Sequence, residues 1–157
     1  LNQLNDIENL YQKASSELGP IDILINNAGG PPPSTFASLN DEDWLSAFNL
    51  TMMSSIRLSK LVLPEMKNRN WGRIINISSV SVKTPVKGLF LSNSLRMGVL
   101  GWSKALSDEV AADGITVNSV CPGSTRTARI TTIFKSQSKA TGKTPEGRIR
   151  RYASRRA

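Results

Sequence analysis

Hydroxyls and amides, rather than imidazoles or thiols, are what this chain offers for chemistry. Its 157 residues include no histidine and a single cysteine, Cys121. That leaves no ligand set for zinc and excludes both a Ser-His-Asp triad and a Cys-His pair. No glycine-rich loop ending in Gly-Lys-Ser/Thr is present, and neither is a G-x-G-x-x-G fingerprint. The small and polar residues that could act gather at Asn26-Asn27-Ala28-Gly29-Gly30, at Ser78-Ser79-Val80, and from Cys121 to Thr127. Nearby stand the cations Lys83, Lys87 and Arg96. Such groups can orient a carbonyl and a ribose, but none is an obvious proton source near neutral pH.

These stretches follow apolar runs that read as strands. Ile21 to Ile25 is short and β-branched, which predicts a buried strand. Arg73 to Ser79 and Ile115 to Val120 predict two more. Between them the period changes to that of helices. Ile7, Leu10, Tyr11, Ala14 and Leu18 predict a helix over 6–18, ended by Gly19-Pro20. A long helix should begin at Asn40, whose side chain can cap it, with Asp41, Glu42 and Asp43 at the positive end of its dipole. Trp44, Phe48, Met52 and Ile56 mark its buried stripe, and Pro64 is expected to bend or end it. A further helix is predicted over 92–112. In it Gly98 and Gly101 cost roughly 1 kcal/mol each against Ala, which points to close packing. Asp113-Gly114 ends that helix.

Helix and strand alternate throughout. This predicts an α/β fold, a parallel sheet with helices on both faces. In such sheets ligands bind beyond the carboxyl ends of the strands, where the polar stretches lie.

The net charge of +8 is unevenly distributed. Residues 1–123 carry 10 Lys+Arg against 11 Asp+Glu, net −1, whereas residues 124–157 carry 10 against one, net +9. A solvated tail is the simpler reading. Only Phe134 and Tyr152 interleave with its charges, which does not favour nucleic acid. No stretch is long and apolar enough to span a membrane, and no secretory signal opens the chain. The lone cysteine suits a reducing, cytoplasmic setting. Leu1 in place of Met suggests that residues precede it.

The motifs together resemble the short-chain dehydrogenase/reductase family, in particular its 3-oxoacyl-carrier-protein-reductase-like members. Ile21 to Gly29 is similar to the family's fourth strand and N-N-A-G motif. Ile74 to Ser79 resembles the fifth strand, which ends in the catalytic serine, and Gly114 to Gly123 the sixth with its Pro-Gly turn. Phe48-Asn49-Leu50 is similar to the segment that carries a catalytic asparagine. The resemblance implies a Rossmann-type doubly wound parallel sheet, truncated at both ends, with a partial NAD(P)-binding domain over 1–130 and a basic, partly flexible substrate-loop segment over 131–157. It implies NAD or NADP as hydride carrier and a small carbonyl or alcohol substrate. It implies that Asn27, Ala28, Gly29, Pro122, Gly123, Thr125 and Thr127 bind the cofactor, that Ser79 bonds the substrate oxygen, and that Asn49 holds a relay water. It also implies a homo-oligomer built on the helices that begin near Asn40 and Ser92.

One departure stands out. The family's Tyr-x-x-x-Lys falls here on Ser92-Asn93-Ser94-Leu95-Arg96. A tyrosine near pKa 10 can be driven toward the working pH by a neighbouring cation, whereas an aliphatic hydroxyl is far less acidic. Arg96 supplies the charge and can also bind the cofactor ribose, but with a planar fork in place of a point ammonium. The sequence therefore supports an oxidoreductase with an altered relay through Asn49, Ser79, Ser92 and Arg96. An inactive cofactor-binding or partner-subunit protein of the same fold remains the alternative.

Overall fold

A computed structural model of the chain describes residues 3–123. Two compact units are present, Leu1–Cys121 and Pro122–Ala157; of the second, Pro122 and Gly123 are described. The predicted site residues Thr125 and Thr127, and the basic tail, lie outside the described residues.

The first unit runs α1 (Leu4–Leu18), β1 (Ile23–Asn26), α2 (Asp41–Phe48), a π-helical segment (Asn49–Met53), α3 (Ser54–Asn68), β2 (Gly72–Ile77), α4 (Phe90–Val110) and β3 (Ile115–Val120). The strands form one parallel sheet in the order β1-β2-β3. Leu24 pairs with Ile74 and Ile74 with Val117. The alternation on β2 and β3 is sharp: Gly72, Ile74, Asn76, Ile115 and Val117 are buried, while Thr116, Asn118 and Val120 are exposed. Val62, Met66, Ile74, Val110, Ile115 and Val117 form the core.

Among the described residues, helices cover one face of this sheet. The reason is topological. Both crossovers step the same way across the sheet, and right-handed crossovers of one direction place their helices on one side. The uncovered face leaves Ile23 and Ile25 of β1 53% and 59% exposed, so β1 is not the fully buried strand its composition predicted.

The long helix begins as expected. Asn40 Oδ1 accepts from the Asp43 N–H at 2.9 Å, and Asp43 returns the bond to the Asn40 N–H at 3.2 Å. Its buried side differs from the expectation: Trp44, Phe48, Met52 and Ile56 are half-buried, while Ala47, Thr51, Ser54, Ser55 and Ser59 are buried. Small residues line the inner face because neighbouring backbones come close there. If Gly98 of α4 carried a Cβ, that atom would lie 3.1 Å from Met52 Sδ. Pro64 does not end the helix, since α3 continues to Asn68. An interior proline costs about 3 kcal/mol. Burial of Val62 and Met66 on either side, at roughly 1.5–3 kcal/mol each, outweighs it.

The predicted third helix starts at Phe90, two residues early, and closes through a 3-10 turn over Ala111–Asp113. Gly114 follows at φ +67, and a Cβ there would collide with the Asn70 carbonyl. No helix among the described residues is long and apolar enough to cross a membrane.

Candidate active site

β2 ends at Ile77, and the chain leaves the sheet through Ser78 and Ser79. Ser78 is tied to β3 by its N–H, which donates to the Val120 carbonyl at 2.8 Å. Ser79 caps a short 3-10 turn over Val80–Val82, its Oγ accepting from the Ser81 N–H at 3.1 Å. A hydroxyl has two lone pairs and one hydrogen, so that hydrogen remains for donation outward.

Ser92 and Arg96 lie one turn apart on α4, on the same side. Arg96 Nε–H donates to Ser92 Oγ at 3.2 Å. Arg96 Nη1 donates to the Ile77 and Ser78 carbonyls at 3.0 and 3.1 Å. One guanidinium thus joins α4 to the end of β2, directly before Ser79. The direction of the Ser92 bond is fixed by chemistry. Arginine has donors only, so Ser92 Oγ must accept and its own O–H is left to donate. Ser92 is buried, at 7% exposure.

Asn49 opens the π-helical segment, an irregularity common at functional sites. Its side chain is occupied within the helix: Nδ2 donates to the Leu45 carbonyl at 3.0 Å, and Oδ1 accepts from Arg57 at 3.3 Å. Its carbonyl accepts the Ser54 N–H and retains a second lone pair. The structure therefore couples Ser92 to Arg96 and, through the Ile77 and Ser78 carbonyls, to the approach to Ser79. Asn49 stands on a neighbouring helix with its amide engaged elsewhere.

A cavity of about 340 Å³ is lined by Arg96 and Ile77, but not by Asn49, Ser79 or Ser92. Leu10, Tyr11 and Val62 line its apolar part; Asn27, Ala28, Asn76 and Arg96 line its polar part. At Gly29 an added Cβ would meet nothing within 4 Å among the described residues.

Beneath the cavity lies a polar network that sequence reasoning did not single out. Asn26 Nδ2 donates to Asn76 Oδ1 at 2.8 Å and, at 3.4 Å, to Ser59 Oγ. Asn76 Nδ2 donates to Ser103 Oγ at 2.9 Å, and Ser103 passes its hydrogen to the Val99 carbonyl at 2.5 Å. All four residues are buried. The network links β1, β2, α3 and α4 just below the strand ends. Asn76 inside an otherwise apolar run was the available signal. Its partners, 50 residues before it and 27 after, carried none.

The fold and these strand ends define an α/β class with a parallel sheet and small polar residues at its carboxyl edge. Residues 1–138 match the family described as short chain dehydrogenase, and the chain belongs to it. It is 42% identical over 117 residues to the 3-oxoacyl-[acyl-carrier-protein] reductase FabG of Haemophilus influenzae, covering 74% of this chain and 48% of that protein. It is 38% identical over 113 residues to the acetoacetyl-CoA reductase of Cupriavidus necator, covering 72% and 46%. A variant of actinorhodin polyketide ketoreductase, solved with NADPH, superposes with a TM-score of 0.90 at 35% identity over 98% of this chain and 60% of that one. The chain spans about half the length of the curated relatives it matches.

Proposed function

We propose that this chain forms the nicotinamide-side part of an NAD- or NADP-dependent oxidoreductase that interconverts a small carbonyl compound and its alcohol, with a modified proton relay. The observation that carries this reading is the single guanidinium of Arg96, fixed at once on Ser92 Oγ and on the β2-end carbonyls before Ser79, and lining the cavity. The cavity, lined by Asn27 and Ala28 after β1, fits a ribose. In this reading Asn27, Ala28, Gly29 and Arg96 hold the cofactor, with Pro122, Gly123, Thr125 and Thr127 supplied by the segment after β3. When bound, the cofactor carries the hydride. The names of the relatives, reductases of acyl-carrier-protein and CoA thioesters, support a carbonyl substrate.

The chain's own groups set the proton chemistry. Ser79 and Ser92 each keep a hydroxyl hydrogen to donate to a carbonyl oxygen. Arg96 stays charged at any working pH, so it raises the local positive potential and passes on no proton. The proton delivered to the product oxygen must then come from water through a serine hydroxyl, with Asn49's second carbonyl lone pair available to hold that water. Ser92 itself favours a second reading, a cofactor-binding protein without turnover, because a hydroxyl much less acidic than tyrosine's transfers its proton slowly.

The same proposal includes a homo-oligomer through α2 and α4, which leave Leu45 62% and Met97 52% exposed, with Gly101 exposed beside them. The test is calorimetry with NADH and NADPH, paired with turnover of the protein on a panel of ketones and β-keto thioesters. Binding with turnover supports the oxidoreductase reading. Binding without turnover supports the second reading, and absence of binding refutes both.

A further inference from the structure

We infer that Asn93 is a positioning residue: its side-chain amide clamps the 83–89 segment that joins Ser79 to Ser92 and presets the wall that a substrate meets. The inference rests on the oxidoreductase reading above. Asn93 occupies the first open position of the Ser92-x-x-x-Arg96 pattern, where residue type is not prescribed. In the structure it makes a two-way contact. Val86 N–H donates to Asn93 Oδ1 at 3.2 Å, and Asn93 Nδ2 donates to the Val86 carbonyl at 2.9 Å. The carboxamide therefore pairs with Val86 as a second backbone would. Among side chains only an amide offers donor and acceptor in that fixed arrangement.

Local backbone bonds, Thr84 N–H to the Val80 carbonyl and Leu89 N–H to the Val86 carbonyl, both at 3.2 Å, turn the clamped segment, but few of its side chains are buried. Lys83, Thr84, Pro85 and Lys87 are exposed, and Val86 is half-buried; Gly88 sits at φ +78. Such a stretch has few buried apolar contacts and would otherwise open locally at small cost. A second tie comes from the loop after β1, where Ser34 N–H donates to the Gly88 carbonyl at 2.9 Å. Phe36 and Phe90 then pack at a ring separation of 5.9 Å. The segment begins just after Ser79 and ends just before Ser92, so its position sets the space between the two hydroxyls and a bound carbonyl. Asn93 also donates its own N–H to the Leu89 carbonyl at 2.8 Å, and its side chain reaches back from the same helical turn. The clamp and Ser92 are consequently held in register.

The test compares wild type with Asn93→Ala and Asn93→Asp. Aspartate keeps the acceptor but sets a carboxylate oxygen against the Val86 carbonyl. Hydrogen–deuterium exchange should show the Val86–Leu89 amides exchanging at least tenfold faster in both variants, with amides 99–106 of α4 unchanged as a folding control. With NADPH and acetoacetyl-CoA as probe, the KM for acetoacetyl-CoA should rise about tenfold while kcat falls less than threefold and NADPH affinity holds within twofold. Unchanged exchange at 86–89 overturns the clamp. Faster exchange with an unchanged KM overturns the positioning role. Absence of turnover in wild type refutes the oxidoreductase reading and the positioning role that rests on it, while exchange still decides the clamp.

Discussion

The bond between Arg96 and Ser92 gives the sharpest test of how the site is built. Replacing Ser92 by Ala removes one acceptor, that of Arg96 Nε at 3.2 Å. Replacing Arg96 by Met removes that bond and two more, to the Ile77 and Ser78 carbonyls. Hydrogen bonds from a charged donor contribute about 1.5–3 kcal/mol when well buried. The Arg96 bonds are part-buried, so about 1 kcal/mol each is the fitting scale. Ser92→Ala should then lower unfolding free energy by about 1 kcal/mol and Arg96→Met by about 2–3 kcal/mol. The double variant should be no worse than Arg96→Met alone, which gives a coupling of about 1 kcal/mol. Urea unfolding of the four proteins measures this. NADPH calorimetry on the same set separates the roles: Ser92→Ala should retain binding, and Arg96→Met should lose at least tenfold. A coupling below about 0.3 kcal/mol, or equal NADPH affinity in all four, would show that Arg96 does not organise the site as argued.

Other outcomes follow from the packing. Ser103→Ala leaves buried Asn76 Nδ2 without its acceptor and should cost about 1–3 kcal/mol in urea unfolding. Gly114→Ala combines a left-handed φ with a collision against the Asn70 carbonyl; it should destabilise by about 2 kcal/mol or more, read as a drop in the unfolding midpoint. Met97→Lys on the exposed side of α4 should shift light-scattering mass toward the monomer if α2 and α4 form the oligomer. An unchanged mass removes that interface.

Local chemistry made much of this protein legible in one dimension. β3 begins and ends where its β-branched run does, Asn40 caps α2 because its short side chain reaches the Asp43 N–H, and Gly114 ends a helix because few other residues tolerate its backbone angle. The strand ends, and with them the positions of Asn27 and Ser79, follow from the change between apolar runs and small polar residues. Ser92 and Arg96 are likewise read, by spacing from Ser79, as the positions that correspond to the family's Tyr and Lys, and that reading belongs to the proposal above. None of this required a contact between distant residues.

Tertiary structure decided what depends on neighbours. Which sheet face is covered is a property of crossover direction, so Ile23 and Ile25 look like core residues in sequence and stand exposed in the fold. The inner side of α2 and α3 is lined by Ala47, Thr51, Ser54, Ser55 and Ser59 because approach of α4 leaves room for small residues, a distance no hydrophobic period encodes. Pro64 stays within a helix because tertiary burial of Val62 and Met66 outweighs a local penalty. The Asn26–Asn76–Ser103 network joins residues dozens of positions apart. The guanidinium of Arg96 is the clearest case. Its sequence position marks it as a cation one turn beyond Ser92, but only the packing of α4 on the end of β2 brings the Ile77 and Ser78 carbonyls within its reach. Those two bonds aim the fork, and the aim leaves the Ser92 hydroxyl as a donor.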